Sequence, residues 1–541
     1  MKPIINKLWM FIAMLCTSSF ASAYDFEANG VFYTVISVPD LTVKVSSSPT
    51  KYDGFISIPK TVEWSGHCFN VVGIGYKAFA DCSELKEIHI PPIKSIDSDA
   101  FKHTVLEKVH LDDIESWLQV DISHSGYTNG SIWCSSPFNN GAFLYLNGEI
   151  IETLTIPEGI KSLNDNFAGC GSIRKASLPE SCTYLNGSFA QCNNLETIDV
   201  KGLNICIGSD TFNGCNKITD FNFLKKCKYL EDGAFRKCGM SQITIPNTVT
   251  SIGYHVFMDC KNLEYCSIGN GISELPCDID PYADDWGMDM FDGCNNLKSL
   301  EIVDSETPLK VGRCGNRLYL DIEKIHYYGS FARLNLESIS INRNLTYSGS
   351  NPNRGMVYAP LAGNGTLKTA YVGGSTTTVG EDFFRCCSSL EHVSFGNNII
   401  EIHETAFRNC KNLKQIKLEA EIPPKFTSNY ISHNQQLTVT IIVPNGNVDL
   451  YRQSAGWKNF LNIIDETSAS IETISANDSD DCLIVNEEGI LYIGESLENV
   501  YVYDINGSLI HSTGVNPNQS IALPNGMYVV RIKNKSFKVK I

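Results

Sequence analysis

Between Leu85 and Leu418 a six-residue figure, apolar-x-x-apolar-x-apolar, recurs thirteen times, as in Leu195-Glu-Thr-Ile198-Asp-Val200, Met240-Ser-Gln-Ile243-Thr-Ile245, Leu390-Glu-His-Val393-Ser-Phe395 and Leu413-Lys-Gln-Ile416-Lys-Leu418. Its last three positions alternate with the period of two that a strand imposes. A Phe-x-x-Cys stands a few residues ahead of nine of these figures, and Phe189-Cys192, Phe212-Cys215, Phe235-Cys238 and Phe257-Cys260 follow one another every 22 or 23 residues. That period suits leucine-rich repeats and is too short for tetratricopeptide or ankyrin units. One such coil cannot bury its own Leu, Ile, Phe and Cys, so coils must stack until these positions form a continuous core.

The pattern therefore predicts a repeat solenoid with a strand at each figure. Residues between the apolar ones face outward: Glu87/His89, Lys108/His110, Thr153/Thr155, Thr197/Asp199, Asp220/Asn222, Gln242/Thr244, Tyr265/Ser267, Thr369/Tyr371, His392/Ser394 and Gln415/Lys417. Because they differ from coil to coil, the face they form is the candidate ligand surface, carried by Thr197, Asp199, Gln242, Thr244, Tyr265, Ser267, Thr369, Tyr371, His392, Ser394, Gln415 and Lys417. Proline after the figure, at Pro91, Pro157, Pro179 and Pro246, removes a backbone donor and ends each strand. Gly169, Gly214, Gly253 and Gly293 are expected in the bends that return the chain. The spacing lengthens between Val109 and Leu154 and again on the steps from Cys266 to Leu300, Ile339 and Ala370, so extra residues leave the solenoid there as loops.

Length supports an array, since 541 residues exceed what one globular core organises. Lys2 and Lys7, the apolar run Leu8 to Cys16 and Ala21-Ser22-Ala23 ahead of Tyr24 read as a cleaved secretory leader, 1–23, with the mature chain starting at Tyr24. Cys16 follows Leu15, where a lipobox has Gly, Ala or Ser, so lipidation is not expected. Elsewhere no stretch approaches the roughly 20 apolar residues of a membrane-spanning helix. The net charge of −17 grows by two when the leader lysines are removed, which argues against nucleic acid as a partner.

Of the 20 cysteines, 19 remain once the leader with Cys16 is removed, and in an exported chain that number ordinarily suggests disulfides. Nine of these hold the repeat position, however, where in-phase side chains lie about 4.8 Å apart and point the same way. A disulfide needs Cβ atoms at about 3.8 Å turned toward each other, so a ladder of buried free thiols is expected.

Ala78-Phe79-Ala-Asp-Cys82, Ile156-Pro157-Glu-Gly-Ile160, Leu178-Pro179 and Ile245-Pro246-Asn-Thr-Val249-Thr-Ser-Ile252-Gly253 resemble the BspA-like leucine-rich repeats of bacterial surface antigens. The resemblance runs from about residue 55 to 465. It takes in an irregular unit, Ile114-Glu-Ser-Trp117 through Ser136-Pro-Phe138 to Leu144-Tyr-Leu-Asn-Gly148, and a closing coil with Val443-Pro444, Tyr451, Trp457 and Phe460. It implies a right-handed solenoid with a parallel sheet on one face and short helical turns or loops on the other. The expected organisation is an N-terminal β segment or cap at 24–66, the solenoid at 67–464, an acidic linker at 465–481 and a small β-sandwich at 482–541. In the last segment, short alternating runs separated by Asn-Gly turns predict the strands. Val502-Tyr-Asp504-Ile-Asn-Gly507, Leu523-Pro-Asn-Gly526-Met-Tyr-Val-Val530 and the terminal Lys538-Val-Lys-Ile541 resemble the C-terminal sorting domain of the type IX secretion system, which implies recognition by that machinery; a plain sandwich is the alternative.

Catalytic signals are absent from the sequence. His403-Glu404 begins a metalloprotease-like H-E-x-x-H, but Phe407 stands where the second His belongs. There is no G-x-S-x-G elbow, no Gly-Lys phosphate loop and no C-x-x-C, and nothing points to a cofactor. The carboxylates Asp278, Asp280, Asp284, Asp285, Asp289 and Asp292 suggest either calcium or a solvated acidic insertion, and the spacing is not that of an EF-hand. Two function classes follow. One is an adhesin-like binding protein at the cell surface or outside it, engaging a host or microbial protein, typically of the extracellular matrix by the family resemblance, or a glycan. The other is an envelope or matrix spacer without a dedicated ligand, and an enzyme stands behind both.

Overall fold

The computed structural model describes residues 24–123, 135–276, 290–312, 326–327, 329–348 and 356–466, and after these the strands between Glu472 and Lys540. The leader, the acidic residues Asp278 to Asp289, Cys16 and most of the expected linker lie outside the described residues. The chain divides into two compact units, Met1–Leu336 with Leu345–Pro360, and Glu337–Asn344 with Leu361–Ile541.

In the first unit the figures form parallel strands in phase. Gly54–Ser57, Leu85–Ile90, Lys108–Leu111 and Phe143–Leu146 make one sheet, Thr153–Thr155, Lys175–Leu178 and Thr197–Val200 a second, and Gln242–Ile245, Tyr265–Ile268 and Ser299–Ile302 continue the stack. Apart from one shift at Gly54/Phe55 the register of these pairs is uniform, because a slip of one residue would turn every apolar side chain out of the core. Ile88, Val109 and Leu144 are thus neighbours and fully buried.

The side opposite the main sheet holds more than loops and helical turns. From Ser95 to Ile252 the described coils add a strand of two to four residues, and these form a second parallel ladder in two runs: Ser95–Ile96 with Asp121–Ile122, and Ser162–Asn164, Tyr184–Asn186, Ile205–Ile207, Cys227–Leu230 and Ser251–Ile252. A third side is a ladder of turns. Within each Phe-x-x-Cys the Cys N–H donates to the Phe carbonyl, at 3.0 Å from Cys215 to Phe212, and the next coil continues the stack, with Phe212 N–H donating to Ala234 O at 2.9 Å. The Phe rings follow one another at 6.0 Å from Phe189 to Phe212 and 5.4 Å from Phe212 to Phe235, nearly parallel, in the range of offset stacking.

All nine ladder cysteines are buried free thiols. They do more than fill space. Cys192, Cys215, Cys238, Cys260 and Cys294 each donate Sγ–H to the carbonyl of the Phe one coil earlier, at 3.0 to 3.2 Å, and Cys410 does the same to Phe384 at 3.0 Å. Cysteine therefore combines a small apolar volume with a weak donor where the turn leaves a buried carbonyl lone pair. The residue just before each ladder Cys has a left-handed backbone, whether Gly169, Gly214 and Gly293 or Asp81, Gln191, Lys237, Asp259, Cys386 and Asn409. Cys386 thus belongs to the bend and Cys387 to the ladder.

One expected strand is missing. Around Asp220 and Asn222 the chain forms a 3-10 helix, Asn222–Lys226, in place of a strand. Asp220 Oδ1 accepts from both the backbone N–H and the side-chain amide of Asn222, a local turn that competes with the ladder, and Phe223 and Leu224 are buried together on the helix.

Both ends of the repeats are covered by aromatics. Near the start, the antiparallel strands Phe26–Ala28, Val31–Ser37 and Thr42–Val45 lead into the second ladder, and Phe26 stacks on Trp64 at 4.7 Å and on Tyr33 at 5.3 Å. In the second unit, Ser338–Ile341, Thr369–Val372, His392–Phe395, Gln415–Leu418, Thr440–Val443 and Asn462–Asp465 pair in parallel. There Trp457 donates to Pro424 O at 2.8 Å and Tyr451 to Ala420 O at 2.7 Å, both fully buried. The final segment forms a five-stranded and a three-stranded sheet. Two of its strands depart from expectation: Leu509–Thr513 pairs antiparallel with Val500–Asp504, and Glu472–Ile474, inside the expected linker, pairs parallel with the last strand.

Candidate interaction face

The richest part of the outward face lies on the first sheet. Its register sets Phe55, Glu87, Lys108 and Phe143 in one row and Ser57, His89, His110 and Tyr145 in the next. Phe55 is 56 % exposed and Phe143 41 %, which is unusual for phenylalanine on a parallel strand. Charge on this face is held in place. His89 Nε2 lies 2.8 Å from Asp112 Oδ1, and Lys60 Nζ is 3.1 Å from the other carboxylate oxygen. Burial works to raise the Asp112 pKa, but the hydrogen bonds from His89 and Lys60 outweigh it, and the net shift is downward. His110 Nε2 is 2.7 Å from Glu87 Oε1, and Lys108 reaches the same carboxylate at 3.2 Å. Tyr145 stacks on the His110 ring at 4.9 Å with Lys108 5.8 Å from its centroid. The result is an amphipathic surface with fixed imidazole, phenol and carboxylate groups between two exposed phenyl rings.

A second feature follows from the missing strand. Where the 3-10 helix displaces the ladder, a pocket of about 480 Å³ opens over the sheet. Thr197 and Asp199, both expected to face outward, line it together with Lys175, Ser177 and Lys226. The Lys226 ammonium is anchored on Val200 O, so one wall is tied to the strand it covers.

The remaining outward positions are scattered by the same register. Gln242 and Thr244 are exposed. Tyr265 is half-buried and donates its hydroxyl to Glu301 Oε2 at 2.6 Å. Ser267, only 3 % exposed, is a correction to the expected face: beside the Tyr265–Glu301 pair its hydroxyl is covered and unavailable to a ligand. In the second unit Thr369 lies beside His392, both exposed, while Tyr371 lies beside Ser394, both half-buried. Gln415 is half-buried, and Lys417 is 3.0 Å from Glu466. The aromatic concentration thus falls on Phe55, Phe143 and Tyr145 rather than on Tyr265 and Tyr371. The signal was present in Ala142-Phe-Leu-Tyr-Leu146, whose large aromatics stand at outward parity, but only pairing with Lys108–Leu111 puts them beside the histidines.

The model of the BspA type leucine rich repeat region matches residues 29–119, 138–275 and 321–438, in six copies. The chain belongs to this family. No curated protein matches it. Among solved structures it is similar to a leucine-rich repeat protein from Bacteroides ovatus, at 22 % identity over 75 % of this chain and 99 % of that one, with a TM-score of 0.42. It is also similar to a leucine rich cell surface protein from Faecalibacterium prausnitzii, at 18 % identity over 73 % and 94 %, TM-score 0.32, and to the pneumococcal vaccine antigen PcpA, at 14 % identity over 82 % and 99 %, TM-score 0.26.

BspA-type repeats are a repeat family rather than an enzyme family, and the suspicious residues of this member sit in structural roles. Phe407 is buried in the ring ladder, His403 Nδ1 is 3.0 Å from the Thr405 hydroxyl, and Glu404 accepts from Thr427 and Asn429. Burial drives the thiols of Cys192, Cys215 and Cys387 far above their ordinary pKa, the opposite of what a nucleophile needs. Half-buried Cys206 is also pushed up, to about 12, by burial and then by its hydrogen bond to Glu231. Among the described residues no His, Cys, Asp and Glu cluster has the makings of a metal site, and no helix is long and apolar enough to cross a membrane.

Proposed function

We propose that this BspA-type protein is a secreted or cell-surface binding protein, adhesin-like in role, that presents its main sheet face to a host or microbial protein or glycan. The supporting observation is the surface built from Phe55, Phe143, Tyr145, His89 and His110: exposed aromatics among oriented polar groups are the composition of an interaction hot spot. Fixed side chains lower the entropic cost of binding, because the histidines and Tyr145 are already held by neighbours. Export rests on the leader-like start and on the final segment's resemblance to a sorting domain. A panel of immobilised extracellular-matrix proteins and glycans at physiological salt tests the binding role. We expect saturable binding that falls at least tenfold in a Phe143→Ser/Tyr145→Ser double mutant. Absence of saturable binding across the panel leaves the spacer role ahead. Deleting residues 482–541 should abolish surface display in the producing cell, and unchanged display discards the sorting role.

A further inference from the structure

The second ladder is interrupted between two consecutive coils. Asp121–Ile122 pairs only with the strand before it and Ser162–Asn164 only with the strand after it, so two in-phase strands that should be partners stand unpaired among the described residues. The main sheet also changes at this step, where Glu149–Ile150 and not Thr153–Thr155 pairs with Phe143–Leu146, and the coils are joined through the turns and the residues beside that sheet. Trp117 Nε1 donates to Asn166 O at 2.8 Å, Ser136 Oγ to Ala168 O at 2.8 Å, Gly171 N to Ala142 O at 3.0 Å, and Leu144 N to Ser172 Oγ at 3.0 Å. The stack therefore opens as a wedge along one side, leaving a cleft of about 850 Å³, within the range of ligand sites.

The polarity of its walls follows from the ladder. Across each step of this parallel ladder N–H groups donate to carbonyls of the coil before, as from Asp121 N to Lys94 O, Ser123 N to Ile96 O and Thr183 N to Lys161 O, and others donate to the coil after, as from Asp165 N to Asn186 O. At the wedge that exchange stops. The Val120 and Ile122 carbonyls and the Ser162 N–H line the cleft with no hydrogen-bond partner among the described residues. Two acceptors on one wall thus face a donor on the other, as part of the mixed donor and acceptor edge that a parallel strand presents. The side chains around them are Gln119 and Asp121 on one wall and Lys161 and Asn164 on the other, all exposed, and Asp121 and Lys161 form no ion pair with any described residue. None of the residues lining the cleft is aromatic, so it has no platform for a sugar ring.

We propose that this wedge is a binding site for an extended peptide segment of a protein partner, taken up as an added parallel strand between the two coils. The incoming segment donates main-chain N–H to Val120 O and Ile122 O and accepts from Ser162 N–H, which restores the ladder from Ser95 to Ser251. Each bound residue spans about 3.3 Å, so four or five residues cross the site. Proline is unsuited to it because it has no N–H to donate. With one lysine facing one aspartate, a segment of neutral or mixed polar side chains fits better than a polyanion. This site is on a different side of the coil from the sheet face and does not rest on the adhesin reading.

The test uses the full chain and a phage-displayed library of random heptapeptides. Parallel selections use the Gln119→Trp and Asn164→Trp proteins, in which a large side chain fills the cleft from an exposed position, each checked by far-UV circular dichroism and thermal unfolding for an intact fold. The expected result is a set of peptides retained by the native chain and lost on both substituted proteins. Resynthesised with N-methylated backbones, these should bind at least tenfold more weakly by fluorescence anisotropy. The proposal is overturned if every peptide enriched by the native chain is enriched equally by the two tryptophan proteins, if the native chain enriches none, or if N-methylation leaves affinity unchanged. Binding of oligosaccharides from a glycan array that is lost on both substituted proteins would assign the cleft to sugars and overturn it too.

Discussion

Replacing Cys238 separates two explanations of the cysteine ladder. Its thiol is buried and donates to Phe212 O at 3.0 Å, a carbonyl that also accepts the Cys215 N–H at 3.0 Å. Cys238→Ala removes one buried heavy atom, worth about 1 kcal/mol in transfer. The void it leaves adds about 0.5–1 kcal/mol, and the lost weak hydrogen bond about 0.5–1 kcal/mol. The total is about 2–3 kcal/mol. Cys238→Ser keeps a donor in nearly the same place, so its cost should be about 1 kcal/mol, the hydroxyl being satisfied by Phe212 O. Cys238→Val keeps the apolar volume but adds a branch and deletes the donor, and should cost about 2–3 kcal/mol. The expected order of stability is Cys, then Ser, then Ala with Val. Urea unfolding followed by circular dichroism gives the global value. Because a repeat array can open piecewise, hydrogen exchange at the Cys215 and Cys238 amides gives the local one. If Ser is less stable than Ala, or if Val is the best replacement, the thiol is only a hydrophobe and the donor argument fails.

Four further outcomes follow from the packing of the coils. Burial lifts the thiols of Cys182 to about 11 and of Cys227 to about 12, from an ordinary value of 9.0. Below pH 9 both states hold these protons, whereas above it only the folded state does, so stability should decline with rising pH at up to about 1.4 kcal/mol per unit and thiol; a flat denaturation midpoint from pH 8.5 to 10.5 would contradict this. Lys237 has a left-handed backbone at the position that Gly214 and Gly293 fill in other coils, so Lys237→Gly should be neutral or stabilising by up to about 1 kcal/mol. Gly214→Ala should destabilise, since at φ +81° the new Cβ meets the Gln191 side chain at 2.5 Å, and both changes are read from urea midpoints. Trp457→Ala removes the 4.7 Å contact with Phe426 and the bond to Pro424 O, so the last coils should lose about 3–5 kcal/mol and fray first by hydrogen exchange.

The sequence by itself determined the solenoid, its period, the apolar positions that point inward and the fate of the ladder cysteines. These are written locally: a strand alternates with a period of two, and a coil that cannot bury its own side chains must repeat. It also marked His89 and His110 as outward, yet it did not show that Phe55, Phe143 and Tyr145 share their face, because that depends on which strands become neighbours. Ser267 was read as free for the same reason, since parity says which way a side chain points and not what lies over it. The second ladder stayed hidden because two- to four-residue strands are too short to show a period. The 3-10 helix at Asn222–Lys226 was misread as a strand because one side-chain turn at Asp220 overrode the pattern. Only the tertiary structure decided where the stack would stay closed and where it would open. The long step from Val109 to Leu154 marks an insertion, but its consequence, two strand edges beside Trp117 left unpaired among the described residues, depends on contacts made around the other sides of the coil.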